Sequence, residues 1–117
     1  MDPIFDRSGR TVGWISDDRV LSANAHHVAF ISNDSVIGYH GRHLGVFDRG
    51  FIRDHSGHAV AFVRGAHGGP LPPLAALPPV APLAPLPPLK PLAPLAPLPA
   101  LASLSWSSLP WDGFLRG

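Results

Sequence analysis

Arginine and histidine alternate at one position that recurs every 16 residues in the first half of the chain. The four residues are Arg10, His26, Arg42 and His58. A guanidinium binds a carboxylate or a phosphate through two parallel hydrogen bonds, and an imidazole adds a donor when it is protonated. If the four side chains form a ring, they predict a site for an anion or an acidic peptide that binds more tightly below about pH 6.5. The alternative is that all four are solvated side chains on hairpins.

Metal binding and catalysis have weaker support in the sequence. The histidines form no helical i, i+4 pair with an acidic partner, and the chain has no cysteine. A Gly-x-Ser-x-Gly nucleophile motif and the glycine-rich phosphate-binding loops are absent. The adjacent acids Asp17 and Asp18 fit a solvated turn. We therefore expect no metal site, no cofactor and no enzymatic activity. The histidines considered as metal ligands are His26, His27, His40, His43, His55 and His58.

The chain has two parts of unlike composition. Residues 1–69 contain 14 of the 17 charged residues and all seven histidines, whereas residues 70–117 contain 14 of the 15 prolines. The net charge is +1 and the basic residues are dispersed, so the sequence does not predict binding to nucleic acid. The first residues lack the apolar core of a signal peptide, and the prolines prevent a membrane helix. The default expectation is a cytoplasmic protein without a transmembrane segment.

The alternating position belongs to a repeated unit of 16 residues. Each unit opens with an apolar residue or pair, continues with turn residues and ends in an apolar run with high β propensity. Such a pattern, with a glycine late in the turn at positive φ, predicts a β-hairpin. Where Ala25 replaces the glycine, we expect Asn24 to adopt the left-handed conformation. The predicted fold class is all-β, with eight short strands and no helix through residue 65. The late turn residues are Gly9, Ala25, Gly41 and Gly57.

Four hairpins packed around an axis would share one core, which a lone hairpin lacks. Residues 1–66 are therefore predicted to form a four-hairpin β domain with a pseudo-four-fold axis, and a plain meander is the alternative. One small residue recurs in every unit and marks where backbones approach closely. These small residues are Gly13, Ala29, Gly45 and Ala61.

The units resemble the 4-fold beta flower domain of bacterial proteins. The resemblance is carried by residues 3–10 (PIFDRSGR), 12–14 (VGW), 41–45 (GRHLG) and 57–62 (GHAVAF), together with the proline-rich tail and its terminal tryptophans. It covers most of the chain. The resemblance implies four β-hairpins arranged like petals about a pseudo-four-fold axis, and it implies no established activity.

A second repeat, with a period of three, begins at residue 71 after a glycine-rich linker at 67–70 and defines a segment at 71–102. Polyproline II has three residues per turn and rises about 3.1 Å per residue, so the apolar residues would line one edge of a rod of roughly 100 Å if it is fully extended. Such a stripe predicts a cover, which is another tail, the β domain or a partner's groove. The alternative is a stiff spacer. The stripe comprises Leu71, Leu74, Leu77, Val80, Leu83, Leu86, Leu89, Leu92, Leu95, Leu98, Leu101 and Leu104.

Residues 103–117 form an aromatic C-terminal peptide. Ser108 and Pro110 predict the start of one helical turn. Because tryptophan is a favoured anchor in interfaces, the peptide is predicted to dock on a partner. The alternative is a plug that folds back onto the β domain. The proposed docking residues are Trp106, Leu109, Trp111, Phe114 and Leu115.

The sequence therefore predicts a non-enzymatic interaction or adaptor module with a rigid spacer and a C-terminal docking peptide. Its expected partner is a protein or a second copy of the chain, reached through the Pro/Leu tail. Two alternatives stay open. One is a structural protein that assembles into an oligomer or filament through the striped tails. The other is a domain that binds an anion or an acidic ligand with the ring of arginine and histidine.

Overall fold

Eight antiparallel strands form a closed barrel in the computed structural model, which describes all 117 residues. Each strand pairs with the next along the chain, and β1 also pairs with β8. The predicted all-β class is confirmed, and no helix occurs before residue 111. The elements are β1 (Asp2–Asp6), β2 (Thr11–Ser16), β3 (Arg19–Ser22), β4 (His27–Ser32), β5 (Ser35–Gly38), β6 (His43–Asp48), β7 (Phe51–Arg53), β8 (Ala59–Phe62) and α1 (Trp111–Arg116).

Two-residue turns close one end of the barrel. In the turn between β4 and β5, Ser32 pairs with Ser35, and Asn33 and Asp34 have φ values of 49° and 66°. Positive φ at both central residues is the type I′ conformation, whose twist matches that of the flanking strands. Asparagine and aspartate adopt this conformation more readily than most residues, which explains their place in the sequence.

The turns at the other end each finish on a residue at positive φ. Gly9, Gly41 and Gly57 have φ values between 84° and 93°, as the repeat predicts. The prediction for Asn24 is wrong, because Ala25 itself adopts the left-handed conformation at φ 65°. Its methyl group packs in a cluster with Trp14 and Leu21, and this burial offsets the backbone strain.

The barrel is apolar on both faces. Successive side chains of a strand point to opposite faces. In β1, Ile4 joins the interior cluster, while Phe5 joins an outer cluster with Phe51 and Phe62. A sheet that is buried on both faces needs a cover on its outside. The interior cluster comprises Ile4, Ile15, Val20, Ala29, Val36, Leu44, Ile52, Val60, Ala61, Trp111 and Phe114.

Residues 71–102, which we call the belt, form no helix or strand and supply that cover. The belt touches the barrel at successive hairpins. Ala76 donates a backbone hydrogen bond to Gly9 O at 2.9 Å, His27 Nε2 lies 3.0 Å from Pro85 O, and residues 97–100 line a cavity beside β6. The belt therefore runs around the outside of the barrel.

The straight rod that the period of three predicts is wrong. The whole molecule measures 37 × 35 × 21 Å, which leaves no room for a rod of roughly 100 Å. The physical reason is the apolar outer face of the strands, which the belt buries by wrapping. No helix in the structure combines the length and the apolar character that crossing a membrane requires.

Candidate functional site

The four residues of the predicted ring have unlike surroundings in the structure. The Arg10 side chain is 80% exposed and forms an ion pair with Asp6 at 3.5 Å. Arg42 donates to the backbone oxygen of Arg116 at 3.4 Å. His26 is exposed and His58 half-buried, and no hydrogen bond joins any two of the four side chains. They sit on the rim of the barrel, where α1 occupies the mouth.

The stripe of apolar residues with a period of three points away from the barrel. Eleven of its twelve side chains, from Leu71 to Leu101, are between 91% and 97% exposed, and Leu104 is 74% exposed. The prolines and alanines between them face inward where the belt is half-buried, as at Ala75, Pro78 and Pro91. We call the twelve outward residues the leucine ridge. The barrel covers the inner side of the belt and leaves the leucine ridge bare.

The one charged side chain of the belt is held by the barrel. Lys90 forms an ion pair with Asp18, and its ammonium lies 5.3 Å from the centroid of the Phe30 ring. The hydrogen bond from Lys90 lowers the pKa of Asp18, and the charges of Lys90 and Arg19 act in the same direction. The ridge therefore carries no free charge along its length.

Arg53 fixes both ends of the belt. Its guanidinium donates to Ser103 O at 2.8 Å, just after the belt, and to Gly68 O at 3.0 Å, just before it. A third bond reaches Gly57 O at 2.7 Å, and Asp48 lies 3.4 Å from Nε. Arg53 is 1% exposed. One buried cation thus clasps the two ends of the belt at one point of the barrel.

Sequence reasoning missed Arg53, although the repeat contained a signal. The equivalent positions in the first three units are Phe5, Leu21 and Ile37, all buried and apolar. An arginine that replaces an apolar residue in a repeat indicates a buried charge with its own hydrogen-bond partners.

The C-terminal peptide is folded against its own barrel. Trp111 and Phe114 are 7% and 1% exposed, and their rings stack at 5.8 Å within the interior cluster. Trp106 packs against Phe51 and Phe62 on the outer face. Leu115 is half-buried and Leu109 is 44% exposed. The prediction of a peptide held away from the β domain is therefore wrong, because two of its aromatic side chains complete the barrel core.

The helix of this peptide starts two positions later than a cap at Ser108 predicts, because Pro110 takes the capping position. Pro110 precedes its first residue, and no side chain caps the helix. His40 Nε2 lies 3.1 Å from Leu115 O at the other end of the helix.

Two of the small residues of the repeat lie where neighbouring strands and α1 come close. A Cβ added at Gly13 would lie 2.4 Å from Leu21 O and 3.7 Å from the Trp111 ring. A Cβ added at Gly45 would lie 1.9 Å from Arg53 O and 3.0 Å from the Phe114 ring. Both glycines thus permit the close approach of neighbouring strands, and Gly45 also makes room for Phe114 of α1.

A hydrogen-bonded chain joins Ser35, His43 and His55. His43 Nε2 lies 3.0 Å from Ser35 Oγ, and His43 Nδ1 lies 3.0 Å from His55 Nε2. Either His43 nitrogen can carry the proton, so one tautomer donates from His43 towards His55 and the other donates from His43 towards Ser35. Burial, and then the neighbouring His55, lower the pKa of His43. His43 and His55 line a cavity of about 320 Å³ beneath the end of the belt.

A second cavity of about 500 Å³ opens between the first hairpin and the C-terminal peptide. Arg10 is the only member of the predicted ring that lines either cavity. Two polar atoms of its lining residues, Thr11 Oγ1 and Trp111 Nε1, are buried without a hydrogen-bond partner. No three histidine or acidic side chains in the structure are grouped to hold a metal ion.

The sequence was compared with family models, with curated proteins and with solved structures. No curated protein matches, and no solved structure matches. The family model described as 4-fold beta flower protein matches residues 2–115, which covers the barrel, the belt and nearly all of α1. This match confirms the resemblance that the repeated units indicate. The chain therefore belongs to the 4-fold beta flower protein family.

Proposed function

We propose that the protein is a non-enzymatic interaction module that associates with further copies of itself through the leucine ridge. The observation that carries this proposal is the exposure of the ridge, with eleven apolar side chains more than 90% open to solvent. Burying one such side chain contributes about 1.5–3 kcal/mol. A soluble monomer rarely leaves so long an apolar stripe uncovered.

The course of the belt favours a second copy as the occupant. The ridge follows the belt around the barrel, and a partner that docks on one face would cover only one arc of it. Neighbouring copies placed edge to edge would cover several arcs at once. Their ridges would have the same spacing, about 9 Å between successive leucines if the belt is polyproline II, so the side chains of one would fit between those of the other.

Charge also favours self-association. The net charge of the chain is +1, and the single charge of the belt, Lys90, is already paired with Asp18. Two ridges can therefore approach without like-charge repulsion, and a net charge near zero promotes association.

We also propose that the barrel consists of four equivalent hairpins and that the belt is polyproline II. Register shifts fall between Ile4 and Phe5 and again at each residue pair 16 positions further on. This regularity supports four equivalent hairpins about a pseudo-four-fold axis. The outward direction of every third belt residue supports the polyproline II conformation of the belt.

Sedimentation velocity over a range of concentrations tests the proposal. The triple variant Leu83→Gln, Leu86→Gln, Leu92→Gln removes one arc of the ridge, and we expect it to shift the protein from oligomer to smaller species. The matched control is Ala81→Gln, Ala84→Gln, Ala93→Gln, which changes exposed belt residues between the leucines and should leave the oligomer intact. A wild-type protein that stays monomeric at the highest concentration would refute self-association.

An adaptor role is the second candidate, and the end of the ridge favours it. Leu104 and Leu109 are 74% and 44% exposed beside the half-buried Trp106, which gives an aromatic and apolar patch of the kind that anchors a heterologous partner. A monomeric wild-type protein that still captures a specific partner, and loses it in the variant Leu104→Gln, Leu109→Gln, would support this role instead.

A further inference from the structure

The cavity between the first hairpin and the C-terminal peptide has two unlike walls. One wall is the β1–β2 hairpin, with Arg10, Thr11 and Val12. The other is the start of the C-terminal helix, with Leu109 and Trp111. Its volume of about 500 Å³ is within the range of pockets that hold small molecules.

Both walls contribute a polar group without a partner. Thr11 Oγ1 and Trp111 Nε1 are buried and make no hydrogen bond, and Trp111 is 7% exposed. The indole N–H is a donor only, and the threonine hydroxyl can donate. A buried donor without an acceptor is unfavourable. Both donors belong to residues that line this cavity. The two atoms have almost no accessible surface, so a small shift of the lining is needed before a ligand in the cavity reaches them.

The charged side chains that line the cavity favour a ligand whose negatively charged group lies next to the β1–β2 hairpin. The Arg10 side chain is 80% exposed and is tied only by a 3.5 Å contact to Asp6. The Asp6 carboxylate already accepts bonds from the Ser8 backbone and hydroxyl. Partial burial raises the pKa of Asp6, but the hydrogen bonds from Ser8 and Arg10 outweigh it and lower the pKa overall. Asp6 is therefore satisfied, and Arg10 retains free donors.

The other residues that line the cavity restrict the charge and the polarity of a ligand that fits it. Arg7 donates to Ser107 O at 3.1 Å and holds the peptide wall in place. Asp112 adds an exposed carboxylate that opposes a second negative charge on a ligand. Val12, Val60 and Leu109 supply apolar surface. These features fit one carboxylate with an aliphatic chain better than a phosphate dianion.

We propose that this cavity binds a small aliphatic carboxylate. The carboxylate accepts hydrogen bonds from Arg10 and, once a small shift of the lining uncovers them, from the Thr11 hydroxyl and the Trp111 indole. The aliphatic chain lies on Val12, Val60 and Leu109. The carboxylate comes from a free short-chain acid or from the C-terminal residue of a peptide, since both present the same group. The site involves residues other than the leucine ridge, so it does not depend on self-association.

The first test is an NMR titration of the full chain with hexanoate, followed at the indole N–H of Trp111. The variant Trp111→Phe assigns that signal by its loss. We expect hexanoate to move the signal and hexanamide or phosphate to move it much less. N-acetylleucine, which mimics a peptide C-terminus, separates the two sources of the carboxylate by its relative affinity. An indole signal that none of these compounds moves would overturn the proposal and leave a bound water as the partner.

Substitutions distinguish a ligand site from a structural role. Arg10→Gln should weaken hexanoate binding by about tenfold or more, whereas Arg64→Gln, an exposed arginine outside the cavity, should not. Thr11→Val removes one unpartnered donor with little change in shape, and Trp111→Phe removes the other together with part of a ring that fills the core. We expect both to weaken binding. The melting temperature without ligand should stay equal or rise in Thr11→Val and should fall in Trp111→Phe, because the smaller ring leaves a cavity. A Thr11→Val variant with a lower melting temperature and unchanged binding would show that this hydroxyl serves packing alone.

Discussion

Arg53 is the only charged side chain that the fold buries. A buried cation needs hydrogen-bond acceptors and a counter-charge. The two terminal nitrogens of Arg53 donate to three backbone carbonyls, and Nε has no hydrogen-bond partner but lies 3.4 Å from the Asp48 carboxylate. The hydrogen bond from Arg49 lowers the pKa of that carboxylate, Asp48, and the charges of Arg49 and Arg53 lower it further. At the scale of one residue, the position of the belt depends on a single side chain.

Arg53→Leu restores the apolar pattern of the repeat and removes the clasp. We expect the unfolding free energy to fall by about 3 kcal/mol, because the carbonyls of Gly68 and Ser103 lose a charged donor. Urea denaturation measures this change, and Arg64→Leu is the exposed control. A variant as stable as the wild type would show that the belt holds its place without Arg53.

His43 gives the stability a dependence on pH. Its pKa is below the ordinary value of 6.5 in the folded protein, so the unfolded chain binds a proton that the folded chain does not. Its contribution is complete above about pH 6.5 and is lost as the pH falls below that value. The lowered pKa values of Asp6, Asp18 and Asp48 remove further stability only below their ordinary value of 3.8.

Urea denaturation at pH 7.5 and at pH 5.0 measures the effect of His43 apart from that of the aspartates, because the aspartates act only below pH 3.8. We expect the wild type to lose stability between them and the variant His43→Gln to lose less. His26→Gln, at an exposed position outside the cavity, should behave like the wild type. An equal loss in wild type and His43→Gln would assign the effect to other groups.

At the scale of elements, the sequence predicted the strands but did not predict that the belt wraps around them. Glycines and Asx residues at turn positions and the apolar runs between them specify hairpins through local chemistry. The period of three in residues 71–102 is the same for a straight rod and for a belt, because it reports the local twist of the chain and not its long-range path. Adjacent apolar residues such as Ile4 and Phe5 were the available signal, since a strand that is apolar on both faces requires two partners.

The C-terminal helix is part of the barrel core. Deleting residues 103–117 removes Trp111 and Phe114 from the interior cluster, so we expect loss of the cooperative unfolding transition. The single change Phe114→Ala should cost about 3–5 kcal/mol, while Asp112→Ala, which is exposed, should cost little. Thermal unfolding followed by circular dichroism provides the measurement. A deletion variant with an unchanged transition would restore the hypothesis of a free docking peptide.

The whole molecule is compact although the belt, residues 71–102, contains no helix or strand. The radius of gyration is 13.1 Å, close to the value of about 13 Å expected for a folded domain of 100 residues. The sequence predicted the all-β class. It could not predict the overall shape, because the shape depends on contacts between segments far apart in the chain, such as Gly9 with Ala76 and Arg53 with Ser103.

Small-angle X-ray scattering of the monomeric ridge variant tests this shape. We expect a radius of gyration near 13 Å for Leu83→Gln, Leu86→Gln, Leu92→Gln and a clear increase when Arg53→Leu is added, because the belt then leaves the barrel. The matched alanine-to-glutamine control, measured under dilute conditions, should give the same compact value. A large radius in the ridge variant alone would mean that the belt is not seated in solution.

The position of α1 in the barrel core has a consequence for the order in which the protein forms. The strands end at Phe62, and the residues that fill the barrel mouth follow 49 positions later, from Trp111 onward. A ribosome delivers these residues only after the belt, so the nascent barrel spends that interval with an open mouth. Closing so long a loop loses conformational entropy, and the contacts of Trp111 and Phe114 offset this loss only after they have formed. We therefore expect the nascent chain to expose the apolar interior of the barrel during this interval.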